Sequence, residues 1–374
     1  MPGSSHSELM PGSLLGKYRI ERLLGHGGMA TVYLAVQEGT GLEVALKVLM
    51  FRGESNRPGG DVARFIREAR LAGGIRHPHW VSVYETGYDS KQNLYYIAME
   101  RMQASLANRL RAHGPLPEAE AIAVVEQIAL ALDKAYETQM VHRDIKPANI
   151  LYNAAGVCKL TDFGIAKSSR NEETQLTLRE AVFGTPAYMS PEQAKDARMV
   201  DTRSDIYSLG TVFFELLSGE RPYQGETPVQ VLAQVITDKP PPDVRSKPKA
   251  RKIHSDTAKL VACMMAKDPA ARPQTPADLI ARLQKLKAHM PYAKPEESAE
   301  EPEYDDSTIM DPTNPPPTDV MLDAGFPSDP GTVRAPTGGA GHTGMWDGAP
   351  TGGGNTGGGT GGGITGTGGG AVGA

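Results

Sequence analysis

Apolar and polar positions along this chain change rhythm twice. From residue 18 to about 100 the apolar positions fall in short runs, at Tyr18–Gly25, Thr31–Val36, Glu43–Met50, Val81–Thr86 and Tyr95–Glu100. Turn signals such as Gly27-Gly28 and Gly39 to Gly41 separate them, which predicts short strands in an antiparallel meander. One stretch breaks that pattern. Val62, Phe65, Ile66, Ala69 and Ala72 recur at helical spacing, with Arg64, Arg67 and Arg70 between them, so a single amphipathic helix is expected there.

Beyond about residue 104 the period becomes helical. Pro117 stands at the start of a stripe formed by Ile122, Val125, Ile128, Ala129, Leu132 and Tyr136, and proline is favoured in a first helical turn. Asp205–Leu217 is apolar nearly all round and is followed by Gly219, the pattern of a buried helix with a glycine stop. A last helix is predicted from about Pro276 to Ala288. A β-rich part followed by an α-rich part implies an α+β enzyme of two lobes, and ligand clefts favour the boundary between such parts.

The rhythm then stops. Glu296, Glu297, Glu300, Glu301, Glu303, Asp305 and Asp306 form an acidic run, Pro312 and Pro315 to Pro317 follow, and the end is rich in glycine. Such a composition buries too little to offset chain entropy. The expected organisation is a flexible N-terminus at 1–14, a folded domain at 15–288 divided near 101/102, and a disordered tail at 289–374.

Composition narrows the function classes. The formal net charge of -5 over 374 residues lacks the basic excess of a nucleic-acid binder. Two cysteines far apart in sequence, Cys158 and Cys263, make no disulfide framework and fit a reducing compartment. His77 and His79 have no partners at zinc-ligand spacing. The first residues, MPGSSHSELMPGS, lack the apolar core of a signal peptide. No apolar run approaches the roughly 20 residues that cross a bilayer. No membrane span, no nucleic-acid partner and a cytoplasmic location are therefore expected.

Six short motifs carry the candidate chemistry. Leu24-Gly25-His26-Gly27-Gly28-Met29-Ala30-Thr31-Val32 lies between two predicted strands, with small residues that let backbone N–H groups approach phosphates. A strand on its far side argues against a dinucleotide-binding loop, and the terminal Lys-Ser/Thr of a P-loop is absent. Lys47 closes the apolar Val44-Ala45-Leu46 and offers a point charge suited to phosphates. Glu68 sits on the amphipathic helix, where it could hold such a lysine. The segment Val141 to Leu151 sets Asp144 and Asn149 five residues apart with Lys146 between them. Asp144 can orient an attacking hydroxyl and take its proton, Lys146 can neutralise a transferred phosphoryl group, and Asn149 can ligate Mg²⁺. Thr161-Asp162-Phe163-Gly164 places a carboxylate able to ligate Mg²⁺ after a short strand. Gly184-Thr185-Pro186-Ala187-Tyr188-Met189-Ser190-Pro191-Glu192 reads as a loop leading into a helix start. Taken alone, five of these motifs have an ordinary structural explanation: a glycine-rich hairpin, a solvated lysine, a surface salt bridge, a turn, a cap. The Val141 to Leu151 segment is hard to explain as structure, and so is the order of all six.

Glycine-rich loop, strand lysine, helix glutamate, His-Arg-Asp loop and Asp-Phe-Gly form the protein-kinase signature set. The chain closely resembles the eukaryotic-like Ser/Thr protein kinases of bacteria over about residues 15–288, most specifically in Gly-Gly-Met-Ala-Thr-Val-Tyr and Ser-Pro-Glu-Gln. The resemblance implies the bilobal protein kinase fold, with a β-rich N-lobe holding one helix and an α-rich C-lobe. It implies ATP and Mg²⁺ as cofactors, with Mn²⁺ as a substitute, and Ser/Thr-bearing proteins as substrates. Under it Lys47 binds the α/β-phosphates and pairs with Glu68, Asp144 is the catalytic base, and Asn149 and Asp162 hold Mg²⁺. Val32, Ala45 and Leu151 sandwich adenine, Glu100 and Met102 supply hinge backbone groups, and Met99 is the gatekeeper. Glu192 pairs with Arg272, and Asp205 caps the catalytic loop. Lys146 and Gly184-Thr185-Pro186 point to the Ser/Thr class, with Thr185 in the substrate-docking stretch.

Three departures stand out. Ala30 replaces a third glycine, Gln193 extends the Ser-Pro-Glu motif in the bacterial manner, and Ala148 stands where kinases directed to basic sites often carry Glu. In the kinases this chain resembles, an arginine beside the catalytic Asp is quenched by a phosphorylated activation loop, so the resemblance implies such a switch at Arg143. Thr177 is the leading site and Thr174 the second, modified in trans within a transient homodimer. The alternative is a pseudokinase or scaffold acting through nucleotide-dependent protein binding. It predicts loss of Lys47, Asp144 or Asp162, and all three are present.

Overall fold

A computed structural model describes residues 8–26, 30–49, 62, 65, 66, 70, 73–162, 186–196 and 199–289. The first strands follow the two-residue period of the sequence. In β2 (Tyr18–His26) Tyr18 and Ile20 are buried while Arg19 and Glu21 are exposed. With β1 (Leu14–Leu15), β3 (Ala30–Gln37), β4 (Glu43–Leu49), β5 (Val83–Asp89) and β6 (Leu94–Glu100) it forms a six-stranded sheet. The order is β1-β2-β3-β4-β6-β5 and every neighbouring pair is antiparallel.

Both faces of this sheet are covered, so alternate residues of β4 enter different cores. Val44, Leu46 and Val48 pack with Leu15, Tyr18, Ile20 and Tyr33. Ala45 and Leu49 pack with Ile97, Met99 and Met102 on the other side. Residues 62, 65, 66, 70, 73 and 74 are helical, and Val62 and Phe65 join the Ala45 cluster.

The strands differ from their expected limits by a residue at an end, except β5, which departs further. β5 begins at Val83 rather than Val81, because the backbone before it is already in use. The Leu160 N–H donates to the His79 carbonyl at 2.9 Å and the Val81 N–H to the Leu160 carbonyl at 3.0 Å. A buried backbone amide must be paired somewhere, and here the partner belongs to a different sheet. The Trp80 indole N–H also donates to the Ala131 carbonyl at 2.9 Å, anchoring this connection on a helix of the second lobe.

That lobe contains β7 (Ala104–Ser105), β8 (Ile150–Tyr152) and β9 (Cys158–Leu160) in a small antiparallel sheet. Its helices include α1 (Leu106–His113), α2 (Glu118–Glu137), α3 (Pro191–Lys195), α4 (Thr202–Ser218), α5 (Pro228–Ile236), α6 (Ser255–Met264) and α7 (Pro276–His289). In α2 the predicted stripe from Ile122 to Leu132 is buried, but Tyr136 is 45% exposed. It lies in the last turn, where the apolar stripe outlasts the surfaces covering it. α4 starts at Thr202, three residues before the expected Asp205, because Asp201 caps it by accepting the Arg203 N–H at 2.8 Å. It ends at Gly219, whose φ of 73° suits glycine. At Gly210 a Cβ would lie 2.7 Å from the Cβ of Met264, so α4 and α6 touch there through a glycine.

The core of this lobe surrounds α4, with Ile206, Leu209, Val212, Phe213, Phe214 and Leu216 completely buried. The result is the expected α+β bilobal arrangement. Among the described residues no helix is long and apolar enough to cross a membrane. The segments expected at residues 1–7 and after 289 lie outside the described residues.

Candidate active site

Lys47 owes its position to strand periodicity. It shares a face of β4 with Ala45 and Leu49, and Ala45 clusters with Met99 and Met102 together with the half-buried Leu24, Val32 and Leu151. These are the residues expected to enclose adenine, and they come from five strands or strand ends. Gly25 pairs with Val32 and His26 with Thr31 across the β2–β3 hairpin. The tip of that hairpin, Gly27, Gly28 and Met29, lies outside the described residues. The buried Thr31 hydroxyl is 3.3 Å from His26 Nδ1, and His26 Nε2 is 3.2 Å from Glu8. Ala30 is buried at the start of β3.

Lys47 Nζ donates to Asp162 Oδ1 at 2.8 Å. Its other expected partner, Glu68, lies outside the described residues. Asp162 follows β9 with φ of 57°, a left-handed conformation unusual for a residue with a side chain. Burial pushes the Asp162 carboxyl up, but the Lys47 ammonium outweighs it and holds the group below the usual carboxylate range.

The loop after α2 is built around one buried carboxylate. Asp205, in the first turn of α4, accepts the His142 N–H at 2.7 Å and the Arg143 N–H at 2.8 Å. Arg143 has φ of 68°, a strained backbone that costs on the order of 1–3 kcal/mol and persists where its surroundings enforce it. Gln193 adds to that enforcement by donating Nε2 to the Arg143 carbonyl at 2.9 Å. Burial pushes the Asp205 carboxyl up to about 7 despite the two N–H bonds. The His142 imidazole bridges two parts of the site. Nδ1 accepts the Asp144 N–H at 3.3 Å, which leaves Nε2 to donate to the Thr161 carbonyl at 3.0 Å.

Asp144, Lys146 and Asn149 then meet. Asp144 Oδ2 accepts from Lys146 Nζ at 3.0 Å and from Asn149 Nδ2 at 2.9 Å, and Asn149 Nδ2 also donates to the Asp144 carbonyl at 2.8 Å. Both Asn149 donor contacts fix the amide's orientation, leaving Oδ1 as its acceptor atom. The Thr161 N–H donates to the Asn149 carbonyl at 3.0 Å, joining this loop to the segment bearing Asp162. One carboxylate and one amide oxygen form a sparse set of hard donors. Such a set suits Mg²⁺ held jointly with phosphate oxygens.

Glu192 and Arg272 pair as expected, at 2.7 and 2.9 Å in a bidentate arrangement. The Arg272 side chain is completely buried and also donates to the carbonyls of Ala266, Arg203 and Lys267. Burial raises the Glu192 carboxyl, but Arg272 and the Ser204 hydroxyl prevail and hold it at about 2. Ser190 caps α3, and Tyr188 donates its hydroxyl to Glu215 at 2.5 Å. Thr174, Thr177 and Thr185 lie outside the described residues.

Several contributors carried no assigned role in the sequence. His142 was visible only as part of its motif, and Gln193 only as a departure from a pattern. Lys159 and Ser82, which bind the Glu100 side chain, had no signal beyond a polar residue in or beside an apolar strand.

Comparison with known proteins agrees with this geometry. The family described as Protein kinase domain matches residues 18–285. The chain is 39% identical over 289 residues to serine/threonine-protein kinase PknB of Mycobacterium leprae, covering 76% of this chain and 45% of that one. It is 39% identical over 265 residues to serine/threonine-protein kinase PrkC of Bacillus subtilis, covering 71% and 39%. The PknB of Mycobacterium tuberculosis is 38% identical over 277 residues, covering 73% and 43%. The chain thus spans less than half the length of these curated relatives.

Proposed function

This chain belongs to the protein kinase family, and from that premise we propose that it transfers the γ-phosphoryl group of ATP to Ser and Thr hydroxyls of proteins. The observation that carries the reading is the linked set Lys47–Asp162 and Lys146–Asp144–Asn149, joined through the Asn149–Thr161 backbone bond. The printed names of the relatives support the Ser/Thr class.

In the proposed reaction the substrate oxygen forms a bond to Pγ as the bond from Pγ to the β-phosphate bridging oxygen breaks. The hydroxyl proton passes to Asp144 and ADP leaves. Lys146, 3.0 Å from Asp144, neutralises charge on the group in transit. Lys47 holds the α/β-phosphates, and Asn149 and Asp162 hold Mg²⁺ or Mn²⁺. The cation, when bound, screens the phosphate charge. Leu24, Val32, Ala45, Met99, Met102 and Leu151 form the apolar adenine site, and the Gly25 to Thr31 hairpin covers the phosphates. The remaining work is positioning and electrostatic stabilisation.

The folded unit in this reading is residues 15–288. The activation loop is switched by phosphorylation of Thr177 or Thr174 in trans within a transient homodimer, which supplies Arg143 with a dianionic partner. Thr185 belongs to the substrate-docking stretch. The catalytic domain works in the cytoplasm, where ATP is available and Cys158 and Cys263 stay reduced. The direct test is incubation of the purified chain with labelled ATP, Mg²⁺ and a mixed protein substrate. Label on Ser and Thr that Asp144→Asn abolishes supports the proposal, and equal labelling by both proteins refutes it. Mass spectrometry of the same samples reads the loop sites. Thr177→Ala with Thr174→Ala at full activity and unchanged activation kinetics would remove the switch.

A further inference from the structure

The kinase resemblance gives Glu100 a role only through its backbone. Its side chain is engaged in a different way. Both carboxylate oxygens accept from Lys159 Nζ, at 2.7 and 2.8 Å, and Oε2 also accepts the Ser82 N–H at 3.2 Å. The Glu100 N–H donates back to the Ser82 carbonyl at 2.8 Å. The two side chains are 13% exposed for Lys159 and 21% for Glu100. An ion pair so sheltered is screened far less than one on the surface.

What the pair connects gives it meaning. Glu100 is the last residue of β6, where the first lobe's sheet runs into the 100–102 connection. Lys159 is the middle residue of β9, directly opposite Leu151 of β8, and three positions before Asp162. The same strand is stitched to residues 79–81 through Leu160, next to the Ser82 that completes the Glu100 contacts. A single ion pair therefore ties the end of the hinge strand to the strand pair that carries the floor of the apolar site and leads to the metal-binding carboxylate.

We propose that Glu100 and Lys159 are a pair of positioning residues that set the depth of the 100–102 backbone relative to Leu151 and Asp162, so that adenine and the phosphates are held in register. The inference rests on the reading that ATP occupies this cleft. Neither side chain touches the nucleotide. They act by keeping the hinge peptide groups where the adenine edge meets them, a preorganisation that would otherwise be supplied from binding energy.

The test uses the full chain and two readouts, MgATP affinity by titration calorimetry and steady-state phosphoryl transfer. Glu100→Gln and Lys159→Met are each expected to raise Kd and KM for ATP by about tenfold, with kcat within about threefold, because the loss falls on binding rather than on the chemical step. The double variant should be no worse than the weaker-binding single variant, since the two residues act as one unit. Lys159→Arg keeps the charge but not the ammonium's geometry, so it should restore affinity in part, to within about threefold of the wild type. Lys259→Met, which breaks an exposed pair with Asp256 on α6, is the control and should leave affinity unchanged. A lower melting temperature with unchanged ATP affinity would overturn the proposal, leaving the pair as a plain stabilising contact. Additive losses in the double variant would also overturn it. Should Lys159→Met fail to fold, Glu100→Gln and Lys159→Arg decide the matter on the same affinity readout. Wild-type chain that binds MgATP but transfers no phosphoryl group would sink the kinase reading while leaving the affinity test of the pair intact.

Discussion

Two groups of charges in this molecule use the same side-chain chemistry for opposite ends. Around Arg272 the guanidinium is wholly buried, all three nitrogens are donating, and Glu192 accepts from both Arg272 and Ser204. Around Lys47 and Asp144 the side chains are partly exposed, 13% for Lys47, 16% for Asp144 and 25% for Lys146. The first group is closed and acts on stability. The second stays in reach of solvent, which the proposed uptake of phosphate and a cation requires. An ion pair alone does not tell a functional charge from a structural one; how far solvent can reach it separates these two groups.

Variants can break this contrast, and the largest effect should fall on chemistry. Lys47→Met should lose on the order of 100-fold or more in kcat/KM, as for removal of one preorganised electrostatic element. Its melting temperature should stay close to that of the wild type. A folded Lys47→Met protein with near-normal transfer would contradict the assignment. Arg272→Ala should do the reverse. Breaking a buried pair leaves an uncompensated carboxylate and costs about 3–5 kcal/mol, readable by urea denaturation, while any surviving folded fraction keeps its nucleotide affinity.

Asp205→Asn sits between the two groups. It weakens the bonds to the His142 and Arg143 N–H groups and should cost about 1–3 kcal/mol, with a fall in kcat as Arg143 relaxes from its left-handed conformation. Loss of stability without loss of kcat would show that the strained loop is held by other contacts, such as Gln193.

The Glu192 pair also predicts a pH dependence. Its carboxyl lies at about 2 in the folded protein against an ordinary 4.5. A depressed carboxyl pKa stabilises the fold above the unfolded value, so the contribution is complete above about pH 4.5 and fades as pH falls toward 2. Thermal melts across that window should show a smaller acid loss in Arg272→Ala than in the wild type. An identical loss in both would mean that other groups govern acid unfolding. The smallest effect is expected from truncation after residue 290. Those residues offer few apolar side chains to bury, so the melting temperature should move by no more than about 2–4 °C, the shift for about 1 kcal/mol in a domain of this size. Aggregation of the shortened chain would show a structural role for the tail.

Much of this was legible in the residues. Strand alternation at Tyr18, Ile20 and Val44 to Val48, the all-round apolar helix before Gly219, and the spacing of Asp144, Lys146 and Asn149 each follow from a local rule. The pairs Glu192–Arg272 and Asp205 with the 142–143 backbone were reachable only through family resemblance, since 80 residues separate the first and more than 60 the second. Tyr136 and the start of β5 went differently from expectation for one reason. Periodicity states which face is apolar but not how far the covering element extends, nor which backbone groups a distant strand has already claimed.

By itself, then, the sequence determined the periods of the elements, the helix stop at Gly219 and the kinds of side chain at the site. Those depend on backbone sterics and on the chemistry of single residues, which need no distant partner. The tertiary structure decided what each charge is joined to. It set Lys47 on Asp162, left Asn149 with its oxygen as the acceptor, buried Arg272 under four carbonyl and carboxylate partners, and closed Lys159 onto Glu100 and Ser82. An ion or hydrogen-bond pair is defined by distances of about 3 Å, and distances that small between remote residues exist only once the chain has packed.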